Sequence, residues 1–358
     1  MTREIAIIGT VGIPAKYGGF ETLTEYLTKH LGGFLELTVF CSSKSYSQKL
    51  QTYNNASLIY VPLDANGGQS ILYDIVSMFI ALRFADTFLI LGVSGCIVLP
   101  FIRLISKKKI VVNIDGLEWK RAKWSRWAKW FLKYSEKLAV KYSDQVITDN
   151  KAIQDYVTEE YGVESTLIEY GGDHVEKVPL STEIKDAYPL SQNPYAFKVC
   201  RIEPENNIHI ILEAFSQVDF PLILVGNFGN SEYGKKIVKR FSKVKNIQLC
   251  DPIYDQGKLN QLRSNVAFYV HGHSAGGTNP SLVEAMCLGL PVIAFDVRYN
   301  RETTANKAMY FSTAGDLIDI IQNEQEKFEG MRVVLKDIAL SRYCWRRITK
   351  QYEEILIS

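Results

Sequence analysis

Short apolar runs with strand character alternate with helix-patterned segments along the whole chain, and the alternation restarts once. The first series reads EIAIIGT, a helix from about Glu21, LTVFC, ASLIYVPL, a helix near Ile71 to Arg83, TFLILG, KIVVNID, a long helix and QVITD. The second reads YAFKVCRI, a helix at Ile208 to Phe215, FPLILVG, a helix near Tyr233 to Val244, NIQLC, VAFYVHG, a helix from Pro280, PVIAFD and AMYFS. Such alternation calls for parallel strands joined by crossover helices. At 358 residues the chain also exceeds what one core usually serves. The expected architecture is α/β, with two doubly wound, Rossmann-like domains. Glycines, charges and a proline gather between Tyr170 and Leu180, which puts the domains at residues 1–175 and 176–342. A last amphipathic run, about 343–358, is expected to pack back on the first domain. Open parallel sheets take ligands beyond the carboxyl ends of their strands, so a ligand is expected in the cleft between the two halves.

Composition narrows the class. The hydrophobic fraction of 47% and charged fraction of 22% suit a soluble globular protein, and a net charge of +2 does not by itself point to nucleic acid. Six scattered cysteines without a C-x-x-C pair fit buried thiols in a reducing compartment. The stretch from Phe88 to Ile105 is broken by Gly92, Ser94, Gly95 and Pro100, so it reads as strand, turn and helix rather than a span. The chain enters its first strand with no signal peptide in view, and the expected location is cytoplasmic. No D-x-D pair offers a nucleotide-bound metal, and His271 and His273 lack acidic or thiol neighbours, so no metal is expected.

The segment HSAGGTNPSLVEAM, His273 to Met286, carries the chemistry. Asn279 is a good helix N-cap and Pro280 fits the first turn. Gly276 and Gly277 clear side chains from in front of that helix start. The amides from Gly277 through Thr278 and Asn279 to Ser281 are then placed to face an anion such as a diphosphate. Glu284 lies one turn inside and is a candidate for the two hydroxyls of a sugar; the bland alternative is a capped helix with a solvated glutamate. Arg201 stands at a strand end ahead of a loop containing Asn206 and Asn207, where it would reach phosphate oxygens or make a surface salt bridge.

Four of the five tryptophans lie in EWKRAKWSRWAKWFLKYSEKLAVKY. On a helix, Trp127, Trp130, Phe131 and Tyr134 share one stripe, and Arg126, Lys129, Lys133 and Lys137 the next. From Arg103 to Lys141 there are twelve basic and three acidic residues. Trp119, Lys120, Arg121, Lys123, Trp124, Arg126 and Trp127 are therefore expected at an anionic membrane surface or an acceptor. The alternative is a core-facing aromatic stripe with a solvated basic flank. No RNA-reading motif accompanies the run, and no nucleic-acid partner is expected.

Together, IIGTVGIPAKYGGFETLTEYL, NIDGLEWKRAKW, HGHSAGGTNPSLVEAM, YGGD and WRRITKQYEEIL resemble family 4 glycosyltransferases, the retaining enzymes of the GT-B fold. Within that family they look most like bacterial rhamnosyltransferases of cell-wall and capsular polysaccharide synthesis. The family's Glu-x7-Glu motif has Glu284 here as its second member but Gly276 at the first, and Asn206 stands where a lysine is usual. The resemblance implies transfer of L-rhamnose from dTDP-L-rhamnose to a sugar on a polyprenyl diphosphate, at the inner face of the plasma membrane. It implies donor contacts from Gly18, Gly19, Arg201, Asn206, Asn207 and the Gly276–Ser281 run, with Glu284 on the nucleotide's sugar ring. Asp115 would orient the sugar or take the acceptor's proton, and Arg201 would offset charge on the departing phosphate. Gly18 and Gly19 also fit an ordinary tight turn, and Asp115 an N-cap. A UDP-hexose or UDP-N-acetylhexosamine donor, or a non-catalytic nucleotide-sugar-binding partner of an assembly complex, are the alternatives.

Overall fold

The computed structural model describes residues 3–16, 18–114, 116–121 and 124–358. It divides into two compact units, one of residues 1–170 with 345–358, the other of residues 171–344. In the first, eight strands form one sheet: β1 (Glu4–Ile8), β2 (Glu36–Ser42), β3 (Thr52–Tyr53), β4 (Ala56–Val61), β5 (Thr87–Leu91), β6 (Lys109–Ile114), β7 (Gln145–Thr148) and β8 (Thr166–Leu167). Their order is β3-β4-β2-β1-β5-β6-β7-β8. Among the described residues, only the short β3–β4 pair is antiparallel. Strand β5, TFLIL, is buried at every position, as a central parallel strand covered on both faces must be.

Helix Gly19–Leu31 and the last helix, Trp345–Ile357, pack together in this unit. The Trp345 ring stacks on Tyr26 with centroids 4.3 Å apart. Tyr352 meets Asn113 of β6 through its hydroxyl.

The second unit has six parallel strands: β9 (Ala196–Val199), β10 (Leu222–Val225), β11 (Ile247–Cys250), β12 (Phe268–His271), β13 (Val292–Phe295) and β14 (Met309–Phe311). They run in the order β11-β10-β9-β12-β13-β14, a doubly wound arrangement with its switch point between β9 and β12. Helix Ile208–Phe215 has the bounds read from the sequence; the neighbouring one runs Glu232–Phe241 rather than to Val244.

The units meet at 170/171 and 344/345, whereas the sequence pattern put the breaks at 175/176 and 342/343. The reason is local packing inside the second unit. The Gly172 amide donates to the Tyr343 carbonyl at 2.8 Å. A Cβ on Gly172 would come within 2.5 Å of Val283, so only glycine lets this strand of chain lie so close to helix Pro280–Cys287.

Candidate functional site

At the switch point of the second unit, two loops leave the carboxyl ends of β9 and β12 and are stitched together. The Asn207 side-chain amide donates to the Gly272 carbonyl at 2.9 Å. Ser274 donates to the Glu205 carbonyl through its amide at 2.8 Å and its hydroxyl at 2.9 Å. Asn206 donates to the Arg201 carbonyl at 2.8 Å, and its oxygen meets the His273 ring at 3.2 Å. Asn206 and Asn207 are buried and fix the loops, a different use of these side chains from direct ligand contact. Asn207 holds a left-handed backbone, φ 48°, which asparagine tolerates better than most residues. Arg201 projects from this rigid base and is exposed.

The second loop ends in helix Pro280–Cys287, with Asn279 as its N-cap and Pro280 in the first turn. Asn279 Oδ1 accepts from the Ser281 amide at 3.1 Å and from the Ser281 hydroxyl at 2.8 Å. Tyr269 of β12 in turn donates to the Ser281 hydroxyl at 2.9 Å. The cap thus engages both polar groups of Ser281, and Thr278 is buried. Gly276 has φ 124°, and a Cβ there would come within 2.9 Å of His273 Nε2. Glycine is required at that bend.

Glu284 is not a solvated glutamate. One carboxylate oxygen lies 3.1 Å from His174 Nε2, and the other is bonded by the Arg263 guanidinium. Arg263 is itself buried and braced on Asn260 Oδ1, at 2.9 Å from Nε and 2.6 Å from Nη2. Burial works to raise the Glu284 pKa, but the charge of Arg263 and the contact with His174 outweigh it and hold the group below its ordinary value. The result is an ionised acceptor fixed in place, with lone pairs remaining for hydroxyl donors. His174 and Arg263 escaped the sequence reading. His174 adjoins the YGGD segment that stood out, whereas Arg263, in helix Gln256–Ser264, meets Glu284 only through the fold.

The glycine loop of the first unit differs. Glu21, in the first turn of helix Gly19–Leu31, bends back so that its carboxylate accepts from the Val11 amide at 2.8 Å and Thr10 Oγ1 at 3.2 Å. Gly18, at φ 134°, could not carry a side chain, because a Cβ would strike the Glu21 carboxylate at 1.8 Å. Gly18 and Gly19 therefore make a turn that houses a carboxylate, which disfavours a phosphate at the same spot. Asp115 and Lys123 lie outside the described residues.

The aromatic helix, Arg126–Tyr142, turns its stripe outward rather than into the core: Trp127 is 81% exposed and Trp130 63%. The preceding residues are sorted differently. Trp119 Nε1 donates to the buried Glu136 at 3.1 Å, and Tyr156 and Tyr161 donate to that carboxylate at 2.6 Å each. The Lys133 ammonium lies 4.7 Å from the Trp119 ring centroid, 4.6 Å from that of Tyr156 and 5.0 Å from that of Tyr161. Arg121 is buried against Glu118 at 2.8 Å, and Trp124 Nε1 donates to Glu118 at 3.0 Å. Trp119, Arg121 and Trp124 are thus tied inward, while Lys120, Arg126 and Trp127 face solvent.

Among the described residues no group of His, Cys, Asp or Glu is arranged to hold a metal ion. His271 is buried with neither ring nitrogen bonded, and burial, with Lys198 and His273 nearby, keeps it neutral.

Residues 2–173 match a family profile described as a domain of unknown function (DUF1972), and residues 181–343 match glycosyl transferases group 1. An uncharacterized glycosyltransferase of Methanocaldococcus jannaschii is 24% identical over 246 residues, 61% of this chain and 59% of the relative's length. Sucrose-phosphate synthase from Thermosynechococcus elongatus superposes with a TM-score of 0.82 at 15% identity, covering 99% of this chain and 98% of that one. Anabaena HepE, solved with UDP and glucose, superposes at 0.77 with 17% identity and 99% of both chains covered. The fold is GT-B, and within it residues 181–343 match the glycosyl transferases group 1 profile.

Proposed function

We propose that the chain transfers a sugar from a nucleoside diphosphate, specifically L-rhamnose from dTDP-L-rhamnose, with retention, to a saccharide on a polyprenyl diphosphate. Cell-wall or capsular polysaccharide synthesis in the bacterial cytoplasm, at the inner membrane face, is the setting. The observation that carries the reading is Glu284, one turn inside a capped helix start and held ionised by Arg263 and His174, within the group 1 segment. A carboxylate so fixed accepts hydrogen bonds from two adjacent hydroxyls of the nucleotide's sugar ring. Arg201 and the amides near Gly277 face the diphosphate, where negative charge grows on the leaving oxygen as the sugar–oxygen bond breaks. No metal takes part in this reading. Asp115 orients the transferred sugar, and Gly276, in place of a glutamate, leaves part of the sugar recognition to backbone groups, which suits a deoxy sugar.

The second reading keeps the reaction and changes the donor to a UDP-hexose or UDP-N-acetylhexosamine; HepE, which shares the fold, was solved with UDP and glucose. One experiment separates them. The purified chain is given dTDP-rhamnose, UDP-glucose or UDP-N-acetylglucosamine with synthetic lipid-diphosphate sugars, and products are identified by mass and linkage. Rhamnosylated product from dTDP-rhamnose alone is expected. Turnover only with a UDP sugar would replace the first reading by the second, and tight donor binding without transfer to any acceptor would overturn both. Arg201→Ala is expected to lower turnover about 100- to 1000-fold.

A further inference from the structure

In the first unit, the connections β4 to β5, β5 to β6 and β6 to β7 all advance in one direction across the sheet. Right-handed crossovers then place their helices, Ser70–Ala81, Leu99–Ile105 and Arg126–Tyr142, on one face. Side-chain contacts agree. The Phe79 and Phe101 rings lie 6.0 Å apart, Arg103 Nε donates to the Tyr142 carbonyl at 2.7 Å, and Ser135 donates to the Val93 carbonyl. The outer side of this layer is unusually apolar. Leu72, Val76 and Phe79 stand exposed along the first helix, and Phe101, Leu104 and Ile105 along the second, with Leu104 83% exposed. Trp127, Trp130 and Tyr134 complete it, and the last two are stacked with centroids 5.8 Å apart.

Charge on the same three helices has one sign at the surface. They carry six basic residues and two acidic ones. Both acids are buried, Asp74 at 3% exposure and Glu136 at 1%. Arg103 is paired with Asp144, and Lys133 with Glu160. Arg126, Lys137 and Lys141 remain exposed beside the tryptophans. None of the described helices is long and apolar enough to cross a membrane.

We infer that this three-helix face seats the protein on an anionic lipid bilayer, with the leucine, phenylalanine and tryptophan side chains entering the headgroup boundary and the basic residues meeting lipid phosphates. An exposed apolar surface of this kind, spread over three helices of one face, marks an interaction site. Its charge argues against a second copy, since a two-fold interface would set the same basic rows against each other. The inference redraws the surface expected from the sequence: Trp119, Arg121 and Trp124 leave it, and two further helices join. It deepens the proposal of a lipid-linked acceptor but does not depend on any particular donor.

The test is flotation of the full chain with vesicles of phosphatidylcholine alone or mixed with phosphatidylglycerol. Binding to the mixed vesicles at low salt, weakened by salt and by omission of phosphatidylglycerol, is expected. The double variant Lys137→Gln, Lys141→Gln should lower partitioning about 25-fold, at about fivefold per basic residue. Leu104→Asp should lower it by more than about tenfold, while Leu340→Asp, an exposed leucine of the second unit, leaves it unchanged. Thermal melts establish that each variant folds. Failure of the wild-type chain to float at low salt overturns the inference, as does wild-type flotation by both variants. A dimer in sizing that Leu104→Asp splits would assign the face to a second copy instead. Vesicle binding without sugar transfer would leave this surface standing and remove the transfer reading.

Discussion

Asp74 of the first unit and Glu284 of the second are carboxylates largely shielded from water, and the two are treated in opposite ways. Asp74, on the inner side of helix Ser70–Ala81, has the Ser94 hydroxyl and the Gly95 amide as hydrogen-bonding neighbours, and burial pushes its pKa up to about 7. Glu284 is also pushed up by burial, but Arg263 and His174 reverse the sign and keep it charged. A hydrogen-bonding neighbour offsets part of the desolvation; a buried guanidinium offsets all of it. The difference separates a carboxyl group driven toward its neutral form from one kept ionised, the state that the proposed sugar-binding role of Glu284 requires.

The comparison can be broken most forcefully at Arg263. Arg263→Met should cost about 3–5 kcal/mol, because it strands a charge in a dry site. It should also raise the Glu284 pKa and weaken donor binding at neutral pH; chemical denaturation and calorimetric titration with nucleotide sugar read the two effects. A stable variant that binds donor normally would remove Glu284 from the site.

Asp74→Asn tests the other side. A carboxyl whose folded pKa is raised contributes stability that is fully present below its unfolded value, near 3.8, and is lost as pH rises through about 7. The wild-type first unit should therefore lose on the order of 3–4 kcal/mol across that interval. The asparagine variant should lack this slope and be the more stable protein at pH 8. Glu284 contributes with the reverse sign, its share being present above its unfolded value and lost as pH falls through its lowered folded one. Urea melts from about pH 2 to about pH 8 cover both titrations and resolve the two slopes.

His174→Gln is the mildest change. It keeps a donor near Glu284 and should cost about 1 kcal/mol, with a small rise in the donor dissociation constant.

Much of this was legible in the chain itself. The strand–helix rhythm gives both sheets, and Asn279 and Pro280 announce their helix start because capping is local chemistry. The brace on Glu284 is another matter. Arg263 lies 21 residues before it, His174 lies 110, and neither spacing follows a helix or strand period. The division of the tryptophans also depends on tertiary partners: Trp119 turns inward because Glu136, Tyr156 and Tyr161 wait for it, whereas Trp127 has no such pocket. Glu21 also depends on the fold, since its carboxylate reaches beyond its own helix to Thr10 and the Val11 amide just past the end of β1.

Because Trp345–Ser358 belongs to the first unit, the second is nested within it as an uninterrupted insert. The Tyr26 ring meets its stacking partner, Trp345, only after the whole second unit has been synthesised. The part of the first unit that precedes the insert must thus wait for the part that follows it to finish folding, while residues 171–344 have everything they need in one continuous piece.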